Sequence, residues 1–348
     1  MICDHTSGYY GKYKLLPTLV QLQSDITSPF PPLDLMVHIG EISAASFNDT
    51  IPAKEVWRVS EDGELRDPFK KLTTVFQMSE EMFFLHYGKD GCNRHVLIDE
   101  CRELFGEIYE QIPELPFCNI WTAMQLSSRL PKGALFHMGV SNTRRCWNMF
   151  QLPESVESAC NVGCCGIDGC VSTLVGASLV NPDRLCYVVV GDLTFFYDLN
   201  SLGNHHIGTN LRVMLVNNGR GTEFRLGIHH CNVFGDDADK YMAAAGHFGN
   251  KSPLLVKHYA EDLGFHYLSA TTKEEFMTAL SNFTNPQLSD HSMILEVFTD
   301  SKDESEALYL MSHIQSDAKG MVRSKLKDAV RNVAGEKGIN AIKKILKK

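Results

Sequence analysis

Long apolar runs are missing from this sequence, as are the other signs of a membrane-spanning or exported protein. Its most apolar stretches, such as 185–190, hold roughly six residues, whereas a membrane-spanning helix needs about 20. The N-terminus carries Asp4 and no cluster of basic residues, so it does not resemble a signal peptide. These absences predict a cytoplasmic protein without a transmembrane segment.

The cysteine content, the net charge and a missing glycine motif argue against four further kinds of protein or site. The 11 cysteines are odd in number and irregularly spaced, which does not predict a disulfide framework. A zinc site formed by 229–231 with Cys164 and Cys165 is a weak alternative, because no Cys-x-x-Cys pair is present. The formal net charge of −9 gives no reason to expect nucleic acid as a partner. No Gly-x-Gly-x-x-Gly follows a first strand, which argues against a dinucleotide-binding protein.

The first part of the chain predicts a small α/β domain over 1–90, which looks incomplete because three strands are few for an independent unit. A loop or linker rich in Pro, Ser and Thr is expected over 17–32. A helix is expected over 91–128, where apolar residues recur at helical spacing. The strands of this first domain are expected at 35–39, 55–59 and 73–77.

The second part of the chain, 91–310, predicts a parallel sheet flanked by helices. Its strands are short apolar runs without strict alternation, as in strands that are buried on both faces. The remaining 311–348 form a basic tail with apolar residues at helical spacing, which predicts a terminal helix or, alternatively, a helix for an anionic surface or a partner. The strands of the second domain are expected at 134–138, 186–190, 211–216 and 293–297.

One βαβ unit in the second domain carries the residue types of a diphosphate site. Its two strands are followed by Gly191 and Asp192 and by a loop that contains Asn218, so both ends lie at the ligand-binding edge of a parallel sheet. Gly191 allows a phosphate to approach the backbone closely. Leu193 and Thr194 begin a helix, where amides and the helix dipole favour an anion.

The same strand ends predict a magnesium ion beside the diphosphate. Asp192 offers a hard carboxylate oxygen, and the Asn218 amide oxygen adds a second ligand without adding charge. The backbone carbonyl near Arg220 can supply a third ligand. Because Mg²⁺ prefers about six oxygens, phosphate and water would complete its coordination.

The strand ends, together with 161–169, resemble thiamine-diphosphate-dependent enzymes. Asp192 after Gly191, followed one strand later by paired asparagines, is similar to the cofactor-binding motif of that family. Leu193 stands where most of the family has glycine, and 161–169 and 191–202 are similar to the branch of menaquinone-pathway synthases. The resemblance covers roughly 33–300. It implies an α/β, parallel-sheet thiamine-diphosphate-binding fold, preceded by a partial α/β central domain.

The resemblance also implies roles for individual residues. Thiamine diphosphate and Mg²⁺ would be the cofactors, with Ile167 beneath the thiazolium ring, where its bulk bends the cofactor, and Gly166 beside it. Ser141 would lie near both cofactor and substrate. Arg145 would bind a substrate carboxylate through two parallel hydrogen bonds. Independently of the resemblance, His229 and His230 follow the asparagine loop and are candidate proton donors to the substrate.

Two departures from the family change the expected function. Val162 stands where the family has a second substrate-binding arginine, which argues against 2-oxoglutarate or isochorismate as substrate. No segment resembles the family's pyrimidine-binding domain, whose glutamate activates the cofactor. We therefore expect part of a 2-oxo acid decarboxylase or carboligase that is inactive alone and requires a pyrimidine-domain partner, in a homo- or hetero-oligomer. The alternative is a truncated, non-catalytic cofactor-binding or assembly subunit.

Overall fold

The described part of the chain divides into two compact units. The structure, a computed structural model, describes residues 1–26, 30–40, 51–88, 96–227, 229–241, 252–317 and 321–322. One unit combines Met1–Thr18 with Glu114–Leu310, and the other combines Leu19–Pro113 with Met311–Lys348. The limit after Leu310 coincides with the expected boundary at 310, whereas the limit expected near 90 falls after Pro113 and the first 18 residues group with the larger unit. The predicted tail helix lies outside the described residues apart from 321–322.

The smaller unit contains a three-stranded parallel sheet in the order β1-β2-β3. The strands are β1 (Leu33–Ile39), β2 (Ala53–Ser60) and β3 (Leu72–Gln77), and each overlaps a predicted strand. A short helix, α1 (Thr18–Leu22), occurs where a loop was expected. Its Leu19 and Val20 are buried, and this apolar burial stabilises the helix.

The prediction of one helix over 91–128 is wrong for the described residues. The chain instead forms α3 (Val96–Glu110) and α4 (Asn119–Leu126), after α2 (Glu80–Tyr87). Pro113 and Pro116 stand between α3 and α4. Proline has no backbone N–H and clashes with the preceding turn, so a helix does not continue through both positions.

The larger unit contains a six-stranded sheet in the order β5-β4-β6-β7-β9-β8, and every pairing is parallel. The predicted α/β class with parallel sheets is therefore confirmed. The strands are β4 (Leu135–Met138), β5 (Glu157–Cys160), β6 (Cys186–Gly191), β7 (Leu211–Asn217), β8 (His266–Ala270) and β9 (Met293–Phe298). The two edge strands, β5 and β8, were not predicted, because their exposed positions interrupt the apolar pattern.

Helices cover the sheet and bury its central strands. Val188 and Val190 of β6 and Val213 and Leu215 of β7 are completely buried and pack with Phe195 in one apolar core. The remaining helices are α5 (Asn142–Trp147), α6 (Cys170–Val180), α7 (Asp192–Tyr197), α8 (Ala238–Tyr241), α9 (Leu255–Asp262), α10 (Lys273–Phe283) and α11 (Ser301–Ser312). Among the residues that the structure describes, no helix combines the length and apolar character required to span a bilayer.

Candidate functional site at the carboxyl edge of the sheet

The ends of β6 and β7 are joined by the side chain of Asp192. The strands run in register, with Gly191 opposite Val216, so Asp192 begins α7 beside the loop that follows β7. One carboxylate oxygen, Oδ2, accepts a hydrogen bond from the Gly219 backbone N–H at 2.5 Å, and Oδ1 accepts one from the Leu193 N–H at 2.7 Å. The structure therefore places Asp192 and the asparagine loop together, as the sequence predicted.

The loop after β7 holds the amide oxygen of Asn218 in a fixed position. This oxygen accepts a hydrogen bond from the Thr222 hydroxyl at 2.7 Å. Gly219 has a φ of 81°, a left-handed conformation that glycine adopts without steric cost. Arg220 follows, half-buried, in the same loop. The carboxylate and amide oxygens that the sequence proposed as metal ligands thus come from adjoining strand ends.

A buried hydrogen-bonded chain supports this loop from the neighbouring strand. The Asn217 amide donates to Glu296 Oε1 on β9 at 2.7 Å, and the Tyr267 hydroxyl donates to Glu296 Oε2 at 2.7 Å. Burial raises the pKa of Glu296, the two hydrogen bonds lower it, and the negative charge of Asp192 raises it. Sequence reasoning missed Glu296, although a carboxylate inside an otherwise apolar strand is an unusual signal.

The space and the chemistry at this edge fit a magnesium diphosphate. A Cβ added to Gly191 would meet no atom within 4 Å, so there is room beside the strand end. Carboxylate and amide oxygens are hard ligands of the kind Mg²⁺ prefers. In the described part of the chain, no three His, Cys, Asp or Glu side chains cluster to hold a metal. A cation held here would therefore need phosphate or water oxygens as further ligands.

The predicted cofactor-facing loop also lies at this edge of the sheet. Gly166 and Ile167 are half-buried in the connection between β5 and α6. The Ser172 backbone N–H, in the first turn of α6, donates to the carboxylate of Asp198 at 2.6 Å, just after α7. This bond ties the start of α6 to the end of the helix that Asp192 begins. A cofactor role for Ile167 stays a prediction.

Ser141 adopts a strained backbone conformation at the start of α5. Its φ is 59°, which side-chain-bearing residues rarely adopt, and its side chain is exposed. Such strain is often found at functional sites. The residue belongs to the connection after β4, the strand that neighbours β6. The structure therefore puts Ser141 at the expected edge, and its contact with substrate or cofactor stays a prediction.

Arg145 forms a bidentate ion pair with Glu223, which the sequence did not predict. The guanidinium donates through Nη1 at 2.8 Å and through Nη2 at 2.6 Å to the two carboxylate oxygens. The Arg145 and Glu223 side chains are 23% and 18% exposed. Burial lowers the pKa of Arg145, but the bonds and charge of Glu223 outweigh it, so the pKa is raised overall. The guanidinium is thus already paired with a carboxylate of its own chain.

The remaining predicted residues have local roles in the structure. Leu193 and Thr194 are buried in the first turn of α7, where the Leu193 backbone N–H donates a hydrogen bond to the Asp192 carboxylate. The His229 ring nitrogen Nδ1 accepts a hydrogen bond from the Cys231 backbone at 3.1 Å. The side chain of His230 lies outside the described residues. A proton-donor role for either histidine stays a prediction.

The relatives of this chain are synthases from several bacteria, although no protein-family model matches it. It is 33% identical over 263 residues to the 2-succinyl-5-enolpyruvyl-6-hydroxy-3-cyclohexene-1-carboxylate synthase of Bacteroides fragilis, an alignment covering 74% of this chain and 45% of that protein. The enzyme of the same name from Phocaeicola vulgatus is 32% identical over 265 residues, covering 74% and 44%. The one from Christiangramia forsetii is 33% identical over 199 residues, covering 57% and 33%. The chain thus spans about half the length of the curated relatives it matches.

Proposed function

We propose that this chain, which belongs to the family of 2-succinyl-5-enolpyruvyl-6-hydroxy-3-cyclohexene-1-carboxylate synthases over 74% of its length, forms the diphosphate-binding half of a thiamine-diphosphate site. The family resemblance seen in the sequence is confirmed by these relatives. The hydrogen bond between Asp192 and Gly219 carries the proposal, because it brings a carboxylate and the asparagine loop to one point. In the proposal, the pyrimidine-binding half lies on a separate chain or on a part of the same gene product outside this sequence, and the assembled protein is an oligomer.

Three residues of this chain would hold the magnesium diphosphate. Asp192 and Asn218 would each give one side-chain oxygen to Mg²⁺, and the carbonyl near Arg220 would give a third. Gly191 would let the diphosphate lie against the end of β6, where a side chain would otherwise project. The hydrogen bonds that already fix Asp192 and Asn218 support this role, because less ordering would be required on binding.

The proposed reaction class is decarboxylation of a 2-oxo acid, with transfer of the resulting fragment to an acceptor or its release as an aldehyde. Thiamine diphosphate, when bound, supplies the nucleophilic carbon and accepts the electrons that decarboxylation releases. Ile167 would support the cofactor ring from the connection after β5. Ser141 and Arg145 would border the substrate on the β4 side.

Calorimetric titration of the purified chain with thiamine diphosphate tests the cofactor assignment. We expect binding in the presence of Mg²⁺ that is lost when EDTA removes the metal. Equal affinity with and without the metal would contradict the magnesium site, and no affinity in either condition would contradict the cofactor assignment.

An assay of CO₂ release tests the proposal that the chain supplies only half of a site. The lone chain, saturated with thiamine diphosphate and Mg²⁺, should release no CO₂ from 2-oxo acids. Turnover by the lone chain would show that it needs no pyrimidine-domain partner.

A further inference from the structure

The ion pair between Arg145 and Glu223 crosses the candidate site. Arg145 lies on α5, which follows β4, and Glu223 lies in the turn that follows β7. Because β4 and β7 are the two neighbours of β6, the pair connects the loops on either side of the strand that Asp192 follows. Both side chains are largely buried, and both carboxylate oxygens accept from the guanidinium.

From this geometry we propose that Glu223 occupies the carboxylate-binding face of Arg145 and thereby selects 2-oxo acids with an uncharged side chain. The inference rests on the proposed function and deepens it. A ligand carboxylate at Arg145 would have to displace Glu223, leaving a largely buried negative charge without its partner. If Glu223 stayed in place, the ligand would instead bring a second negative charge close to the first.

Two further residues in the connections at the carboxyl edge of the sheet agree with an uncharged ligand. Val162, in the connection after β5, is half-buried and has an apolar side chain. The adjacent Arg144 is also engaged with an acid of its own chain, since its Nη1 lies 3.4 Å from the Asp4 carboxylate. Neither residue offers an unpaired cation to a second carboxylate on the substrate.

Two ligands of equal chain length separate charge from size. 2-Oxoglutarate and 2-oxopentanoate share a five-carbon 2-oxo acid skeleton and differ in whether the far end carries a carboxylate or a methyl group. We would titrate each into the full chain, saturated with thiamine diphosphate and Mg²⁺. The wild type should prefer 2-oxopentanoate. A wild type that binds 2-oxoglutarate more tightly would overturn the proposal.

The Glu223→Gln variant removes the internal carboxylate and releases Arg145. Its affinity for 2-oxoglutarate should rise by about tenfold, the effect of one charge-assisted hydrogen-bonded pair, while its affinity for 2-oxopentanoate stays the same. Adding Arg145→Gln to this variant should abolish the gain. If Glu223→Gln gains no affinity for 2-oxoglutarate, or if it gains equally for both acids, the proposal is wrong.

A matched control releases a different arginine. Glu157→Gln frees Arg184 from its 2.9 Å contact at the opposite edge of the sheet and should leave both affinities unchanged. The double variant, Glu223→Gln with Arg145→Gln, removes the pair without leaving an unpaired buried charge. It should bind 2-oxoglutarate no more weakly than the wild type, and a tenfold loss would contradict the proposal.

Binding of the cofactor distinguishes failure of this inference from failure of the proposed function. Titration of Mg²⁺ and thiamine diphosphate into Glu223→Gln should match the wild type. Failure of the wild type to bind the cofactor would count against the proposed function. An unchanged preference between the two acids in Glu223→Gln would count against the role of Glu223 alone.

Discussion

The backbone nitrogen of Gly219 lies 2.5 Å from the carboxylate of Asp192, so the segments that follow β6 and β7 are joined through one side chain. The same carboxylate also accepts from the Leu193 N–H and is almost completely buried. A buried acid that accepts two backbone hydrogen bonds is held in one orientation. The proposed magnesium ligand is therefore also a structural connection between the two strands.

Replacing Asp192 with asparagine should damage both roles. The variant loses the negative charge and sets an amide donor against one of two backbone donors, so we expect the free energy of unfolding to fall by about 1–3 kcal/mol. The affinity for thiamine diphosphate in the presence of Mg²⁺ should fall by at least roughly tenfold, which calorimetry would measure. Asp183→Asn is the matched control, because Asp183 is exposed and precedes β6 at the other edge of the sheet. Unchanged cofactor binding by Asp192→Asn would refute its role as a ligand.

Substitutions along the hydrogen-bonded series of side chains from Tyr267 through Glu296 to Asn217 should lower the free energy of unfolding by graded amounts. Glu296→Ala leaves the buried Asn217 amide without its acceptor and should lower the free energy of unfolding by about 1–3 kcal/mol. Glu296→Gln keeps one acceptor oxygen and should cost less. Tyr267→Phe removes only the outer hydrogen bond and should cost least. Denaturant titration gives the order, and a loss for Tyr267→Phe as large as that for Glu296→Ala would contradict it.

The central strands could be predicted from the sequence because burial on both faces leaves an unambiguous signal. In β6 and β7 nearly every position is buried, so the strands appear as continuous apolar runs. The position of Asp192 beside the asparagine loop could then also be predicted, because the parallel neighbouring strands β6 and β7 end at the same edge of the sheet. In β8, by contrast, the burial pattern is mixed, and the sequence gives no clear period.

The partners of polar side chains could not be predicted in the same way. Arg145 and Glu223 are 78 residues apart, and only the fold brings their loops together. From the sequence, Arg145 was expected to bind a substrate carboxylate. In the structure it pairs instead with the carboxylate of Glu223. Glu296 was missed for the same reason, because its donors come from two other strands.

Leu215 should be one of the most sensitive positions for the stability of the larger unit. Its side chain is completely buried in β7 within the apolar core. Leu215→Ala should lower the free energy of unfolding by about 2–5 kcal/mol, because lost apolar burial and the cavity both contribute. Leu288→Ala removes the same atoms from a side chain that is 44% exposed, and it should cost far less. Denaturant unfolding of both variants would measure the difference, and equal losses would contradict the assignment of Leu215 to the core.

Glu304, on α11, is a buried acid whose ionisation should make the stability of the larger unit depend on pH. Its carboxylate oxygen Oε1 accepts hydrogen bonds from the Asn119 backbone and the Thr299 hydroxyl, both at 2.9 Å. Burial raises the pKa of Glu304 to about 7, although hydrogen bonds from Asn119, Thr299 and Asn142 oppose the shift. The nearby negative charge of Asp303 raises it further. The folded state thus keeps this proton over a pH range in which an unfolded chain releases it.

The stabilising contribution of protonated Glu304 should be complete below about pH 4.5, the range of an unperturbed glutamic acid, and should be lost as the pH rises to about 7. The loss should approach about 3 kcal/mol, since each pKa unit corresponds to about 1.4 kcal/mol. Glu304→Gln cannot ionise, so its free energy of unfolding relative to the wild type should increase across this range. Comparing the two proteins at each pH cancels the opposite trend from His5, whose pKa burial lowers to about 4. Glu306→Gln, an exposed position on the same helix, is the control, and a wild type that follows Glu304→Gln at every pH would show that Glu304 ionises normally.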